Sequence, residues 1–173
     1  HDDLQYTKND WRNRNQIKTK DGLKWLTIPC GTNEKRLICE VEIKDSTWQK
    51  KHWDLIINNY KKSPCFPQIE FFLNEFYMNK KWQYLSDLNQ YLIKNIAKEF
   101  LNIKNTKFVD SKDYCLKKTK SDRVIELLKK IGATEYVSGS SAKNYLNEND
   151  FINNNIKLTW IDYTKYKSYK QFY

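Results

Sequence analysis

The sequence contains only two histidines, one methionine, three prolines and four glycines among its 173 residues. So little Gly and Pro leaves no flexible linker, and no internal repeat divides the chain, so one domain is the default reading. No apolar run approaches the length of a membrane span and no signal-peptide pattern opens the sequence, so no anchor is expected. The four cysteines, Cys30, Cys39, Cys65 and Cys115, form no CxxC pair. With so few histidines beside them they make a poor structural zinc site, and nothing resembles the disulfide framework of a secreted domain. Reduced thiols in a cytoplasmic protein are the simpler expectation.

What the chain does have is aromatic and basic. Apolar residues make up 39% and aromatics 15%, enough for a packed core despite the abundance of Lys and Asn. The net charge is +10, and it is spread evenly: 15 basic and 11 acidic residues in 1–86, 16 and 10 in 87–173. That surplus favours anionic partners without naming one.

Residues 22–28 (GLKWLTI) read as a strand after the KTKDG turn, and 37–43 (LICEVEI) alternate as a second, half-buried strand. Together they suggest a hairpin-like pair joined by the PCGTNEKR loop. A helix is predicted over 47–60, with Trp48, His52, Leu55, Ile56 and Asn59 on one face and Ser46 or Thr47 capping it. After the SPCFP break, Ile69, Phe72, Leu73 and Phe76 restart a helix, and Ser86 can cap the next one. Beyond it, 106–110 (TKFVD) suggests a strand, 121–131 a helix closed by Gly132, 135–141 a short strand and turn, 141–147 a helix, and 156–160 a last strand. The expected fold class is therefore α/β. A mainly parallel sheet with crossover helices would carry the second half, and the N-terminal half would be irregular and aromatic-rich.

Three places can carry chemistry. The opening stretch gathers Asp2, Asp3, Gln5, Lys8, Asp10, Arg12, Asn13, Arg14 and Asn15 around Tyr6 and Trp11. Guanidinium groups suit phosphate or carboxylate, and Asn can both donate to and accept from a sugar or base. A solvated polar loop is the competing interpretation. His52 is the one internal histidine and can serve as general acid or base, or equally as a satisfied core residue. Val137-Ser138-Gly139-Ser140-Ser141 lies between a strand and a helix, with Lys143 one turn in, where backbone amides can meet an anion. Its spacing is not that of a Walker loop. Lys117, Lys118, Lys120 and Arg123, around Thr119 and Ser121, can extend such a surface. The closing YTKYKSYKQFY mixes aromatics with lysines, yet no nucleic-acid-binding signature is present, so nucleic acid is not the expected partner.

The order DDLQYTKNDWRNRNQIKT, KWLTIP, Trp48 with KHW at 51–53, Trp82-x-YLSDLN, KTKSDRVIELLKKIGATEYVSGSSAKNYL and IKLTWIDY resembles the WbqC-like family along nearly the whole chain. Members typically begin with a strand and an HQPxFxPWxGxF-like segment and continue past the Asp-Tyr motif into an apolar helix. The expectation is thus one WbqC-like domain over 1–173, without those two flanking pieces. The resemblance implies a cytoplasmic bacterial enzyme of surface-polysaccharide or modified-sugar biosynthesis. Its implied reaction moves an acyl or aminoacyl group onto a nucleotide-activated amino sugar. The competing function is a small-ligand or carrier-binding module. No metal or cofactor is implied, and a homo-oligomer is allowed. Carried over position by position, the implied site residues are Asp3 and His52 for catalysis. For substrate they are Gln5, Tyr6, Lys8, Asn13, Arg14, Asn15, Trp53, Thr119, Arg123, Ser138, Gly139, Lys143, Tyr145, Asp162 and Tyr163, with Ser140 added from the turn.

Overall fold

The computed structural model describes residues 1–169, which fold as two compact units, with the division along the chain falling between Phe108 and Val109. The proposed 106–110 strand is absent: the junction itself falls there. Of the closing aromatic and basic stretch, residues 170–173 lie outside the described residues.

The N-terminal unit opens with a hairpin, β1 (Arg14–Thr19) against β2 (Gly22–Thr27), antiparallel with Gln16 opposite Trp25. Gly22 takes φ 101, a left-handed geometry that costs a residue without Cβ little. The strand over 22–28 is therefore present, but its partner is 14–19 and not 37–43. Residues 38–40 form a 3-10 turn instead. The Glu40 carboxylate accepts from the Leu37 amide at 2.7 Å, tightening the backbone locally, and a three-residue step puts Ile38 and Val41 together in the core. Leu37 and Glu42 then touch Gln5 and Tyr84 only through isolated bridges.

Helix α1 spans Thr47–Tyr60, as predicted. Its first amides are met not by Ser46 but by Asp45, which accepts from the Thr47 amide and hydroxyl at 2.8 Å. Trp48, Gln49, His52 and Trp53 are its buried residues, so the inward face is rotated toward the first two turns. Pro67 sits in the first turn of α2 (Phe66–Asn74), where its missing donor costs nothing. A π turn over 75–79 follows, and Gln49 Nε2 satisfies the carbonyls it frees, Tyr77 at 3.0 Å and Lys80 at 2.8 Å. Helix α3 (Leu85–Asn95) starts at Tyr84, and Ser86 lies buried inside it, bonded to the Asp2 carboxylate instead of capping. Tyr6, Cys30, Ile38, Val41, Ile43, Trp48, Phe76, Leu85 and Leu88 make the core.

In the C-terminal unit, α4 (Lys120–Lys130) ends where predicted, with Gly132 at φ 66 just beyond it. Leu128 is buried as expected, but Ile131 is exposed and Arg123 and Ile125 take inward positions. Strands β3 (Glu135–Gly139) and β4 (Lys157–Ile161) pair in parallel. Between them a 3-10 turn over 140–144 replaces the helix expected at 141–147, and α5 (Glu148–Ile152) brings in Phe151, stacked at 5.7 Å on Tyr136. The fold is mixed α/β. The described residues contain one parallel pair and one hairpin, not a mainly parallel sheet. No helix among them is long and apolar enough to cross a membrane.

Candidate functional site

The opening polar stretch is shaped by its own hydrogen bonds. Asp10 accepts from the Arg12 amide at 2.8 Å and pairs with the Arg12 guanidinium, closing a turn that presents Trp11 to solvent. Asn89 Nδ2, on α3, donates to the Arg12 carbonyl at 3.0 Å, and Asn13 Nδ2 donates to the Ile28 carbonyl at 3.1 Å. These two bonds hold the turn against the hairpin and α3.

Beneath it lies a cavity of about 170 Å³. Trp11, Arg12, Asn13, Arg14 and Asn15 line it from the opening stretch, Leu26 and Ile28 from the hairpin, and Trp48 and His52 from α1. Phe76, Tyr77, Leu88, Asn89 and Leu92 complete the wall. No Asp or Glu is among them. The His52 ring packs edge-on against Trp48 at 5.0 Å and Tyr77 at 6.1 Å. Burial pushes its pKa down from 6.5 to about 4, opposed by a hydrogen bond to the Thr27 backbone carbonyl. The imidazole is consequently neutral near pH 7, with one nitrogen a donor and the other an acceptor. Burial also raises the Tyr77 phenol to about 12, so it stays protonated.

Two buried polar atoms of the lining residues have no hydrogen-bond partner among the described residues: Asn13 Oδ1, an acceptor, and Trp48 Nε1, a donor. Both residues are 4% exposed. Leaving such groups unpaired away from water is costly, and both atoms are covered by their neighbours, with almost no accessible surface. The Arg14 guanidinium lies 4.4 Å over the Trp25 ring. Two larger cavities are chemically less specific. One, of about 310 Å³, is lined mainly by apolar groups such as Ile17, Ile56 and Leu73. The other, of about 380 Å³ in the C-terminal unit, mixes Lys118, Lys129 and Lys130 with Asp122, Glu126 and Asp150. Among the described residues no three or more His, Cys, Asp and Glu side chains gather as metal ligands.

The C-terminal unit has its own polar cluster at the carboxyl ends of its parallel strands. Lys143 Nζ lies 5.5 Å from the Trp160 ring, and Asp162 accepts from the Thr164 amide at 3.0 Å and hydroxyl at 2.6 Å. Those bonds, with a smaller contribution from the Lys143 charge, hold the Asp162 carboxyl below the usual range. A Cβ at Gly139 would stand 3.6 Å from the Tyr163 hydroxyl.

The whole chain, residues 1–173, matches the WbqC-like protein family. The chain belongs to that family. It is also 40% identical over 175 residues to a protein of Mycobacterium tuberculosis (strain ATCC 25618 / H37Rv) named Uncharacterized protein Rv1507c, covering 100% of this chain and 75% of that one. No solved structure matches it.

In this WbqC-like protein the cavity brings together six of the residues singled out for chemistry from the sequence: Trp11, Arg12, Asn13, Arg14, Asn15 and His52. Others of the opening stretch face elsewhere. Tyr6 is in the core under the Arg36 guanidinium, Gln5 Nε2 donates to the Glu34 carbonyl, and the Lys8 amide donates to the Glu34 carboxylate. Asp3 is half-buried and off the cavity wall, and Trp53 stacks on Phe66 at 6.5 Å.

In the C-terminal unit, Thr119 stands at the start of α4, while the Lys117 and Lys118 amides are already taken by the Glu126 carboxylate. Arg123 donates to the Leu116 carbonyl at 3.3 Å. Ser138 is buried within β3, Ser140 opens a single 3-10 turn, and Tyr145 is exposed. With only that turn following Gly139, the helix end expected to attract an anion does not form there.

Trp48, Tyr77 and Asn89 are the contributors sequence reasoning passed over. Asn89 carried a signal, a polar residue in a row with Ile93 and Ala97. The two aromatics carried none that separates them from ordinary core.

Proposed function

We propose that this WbqC-like protein is an enzyme of modified-sugar or surface-polysaccharide biosynthesis. It transfers an acyl or aminoacyl group from an activated donor to the amine of a nucleotide-linked amino sugar. The observation that carries this is the cavity in which a neutral His52 and the polar residues Asn13, Asn15 and Asn89 line one aromatic-walled space without a carboxylate.

Its volume is well below the roughly 300–1,000 Å³ of pockets that engulf a whole ligand, so it holds one sugar ring or its substituent. The nucleotide lies outside, where Arg14 is the cation available to its phosphates. A carboxylate-free, desolvated wall disfavours an ammonium and keeps the amine in its nucleophilic form. The amine nitrogen attacks the acyl carbon, His52 accepts the proton that the nitrogen sheds, and the donor's leaving group departs with the electron pair of the broken bond. Asn13 and Asn15 orient the sugar.

The protein tests this directly. Incubated with nucleotide-linked amino sugars and activated acyl or aminoacyl donors, it should yield a product heavier by the acyl group, read by mass spectrometry. Saturable binding of the sugar nucleotide with no mass change under any donor would instead make it a ligand-presenting module. The low basicity of His52 is the feature that favours this second reading.

A further inference from the structure

We infer that the apolar cavity of about 310 Å³ in the N-terminal unit receives the aliphatic chain of a medium-length acyl group. The inference rests on the acyl-transfer reading only for the origin of that group, which is then the acyl donor.

Three elements meet around this cavity. Ile17 comes from β1, Ile56 and Tyr60 from α1, and Phe66, Ile69 and Leu73 from α2. No charged side chain lines it. The Tyr60 hydroxyl donates to the Lys18 carbonyl at 2.5 Å, so its proton is engaged in tying the end of α1 to the hairpin. An apolar wall of this kind is stabilised by an occupant that takes it out of water.

The choice of occupant follows from where the cavity lies. Ile17 is two residues from Asn15 on β1, and alternate residues of a strand share a face. Ile56 is four residues from His52 on α1, one turn further along the same stripe. Asn15 and His52 line the 170 Å³ cavity, so both cavities lie on one seam between the hairpin and α1. Their lining residues are offset by about 6 Å along the helix and about 7 Å along the strand. An acyl group reacting beside His52 can therefore lay its chain along the seam against Ile17 and Ile56.

Size and chemistry agree with one such chain. The volume is near the bottom of the roughly 300–1,000 Å³ spanned by small-ligand cavities. Eight carbons, each claiming about the 30 Å³ of a water molecule, use most of it. A sugar or a nucleotide would set hydroxyls or phosphates against Ile, Leu and Phe side chains, which costs their hydration. A second copy of the chain would need roughly 20–30 residues a side, far more than line this cavity.

The test uses the intact protein with acetamide and octanamide, uncharged probes that differ only in chain length. Octanamide should bind at least about fiftyfold more tightly by NMR titration, since each buried methylene is worth roughly fourfold. Cys65 lines the cavity and is exposed, so it reports occupancy: octanamide should slow its alkylation by iodoacetamide and leave that of Cys115, exposed in the other unit, unchanged. Ile69→Trp, which fills the cavity, should bring the two amides within about threefold of each other. If that variant does not fold, the Cys65 protection decides the matter alone. Equal affinity for the two amides, or Cys65 labelling indifferent to octanamide, would overturn the inference. So would Cys65 protection that appears without a probe and grows with protein concentration, which would put a second copy on the cavity. Transfer from acetyl and octanoyl thioesters at equal rates, with Cys65 unprotected, would sink this inference and leave the enzyme reading standing. Octanamide binding with Cys65 protected, but no transfer from either thioester, would do the reverse.

Discussion

His52 and Trp48, one turn apart on α1, pack edge-on with their ring centroids 5.0 Å apart. The Tyr77 ring closes on both, 6.1 Å from His52 and 6.0 Å from Trp48, and this aromatic enclosure takes the imidazole away from water.

That arrangement makes stability depend on pH. The folded pKa of His52, about 4, lies below its ordinary 6.5, so the unfolded chain takes up the proton first as pH falls. The contribution is fully present above 6.5 and is lost progressively down to about 4. Allowing for solvent reaching the cavity side, the loss should be on the order of 2 kcal/mol. Urea titrations across that range check it, and His52→Phe should flatten the component. A wild-type midpoint that does not fall on acidification would contradict it.

His52→Gln keeps a polar side chain of similar reach but cannot take up a proton. Turnover should drop by about 10²-fold or more, with sugar binding little changed. Unaltered turnover would remove His52 from the base role.

Arg14→Ala removes a cation that stacks on Trp25 at an exposed edge. Stability should move by less than about 1 kcal/mol, while the Kd for a nucleotide-linked sugar rises about tenfold and loses part of its salt dependence. Calorimetry at two ionic strengths separates this from a structural effect, which would lower the Tm and leave the salt dependence alone.

Gln49→Leu should be one of the more damaging substitutions in the N-terminal unit. It strands the Tyr77 and Lys80 carbonyls, whose donor is the Gln49 amide, and each orphaned carbonyl costs about 1–3 kcal/mol. Because Tyr77 also lines the cavity, the denaturant midpoint and the binding of a nucleotide-linked amino sugar should fall together. A stable variant with normal binding would show that the π turn does not need this partner.

Thiol labelling should divide the cysteines. Cys65 and Cys115 are exposed and should react readily at neutral pH. Cys30 is buried, and desolvation raises its thiol to about 11, so it should label only on unfolding. Mass mapping after a brief pulse of a maleimide distinguishes the sites, and early modification of Cys30 would mean that the core opens around it.

Much was legible along the chain because it depends on neighbours in sequence. Ser63 to Pro67 had to break a helix, Gly132 had to follow one, and the apolar spacing of Trp48 and His52 had to bury one face of α1. Thr47–Tyr60 followed from those local rules, as did the strands near 22–28, 135–139 and 156–160. The alternation of 37–43 misled, because a three-residue step buries Ile38 and Val41 as well as a strand would. Pairing is a matter of distant partners, and Arg14–Thr19 won Gly22–Thr27 through a two-residue turn that no longer loop can match for closure entropy.

The polar character of the LQYTKNDWRNRN stretch was determined by sequence alone, but the titration of the lone internal histidine was not, because burial moves it from 6.5 to about 4. Only the tertiary structure decided which of those groups meet. It sent Tyr6 into the core and turned Asn13, Arg14 and Asn15 toward His52. It added Trp48, Tyr77 and Asn89 from three other segments. The reason is physical. A residue's type sets which hydrogen bonds it can make, but burial and long-range packing set which of them remain unmade. In this fold those are the Asn13 oxygen and the Trp48 N–H.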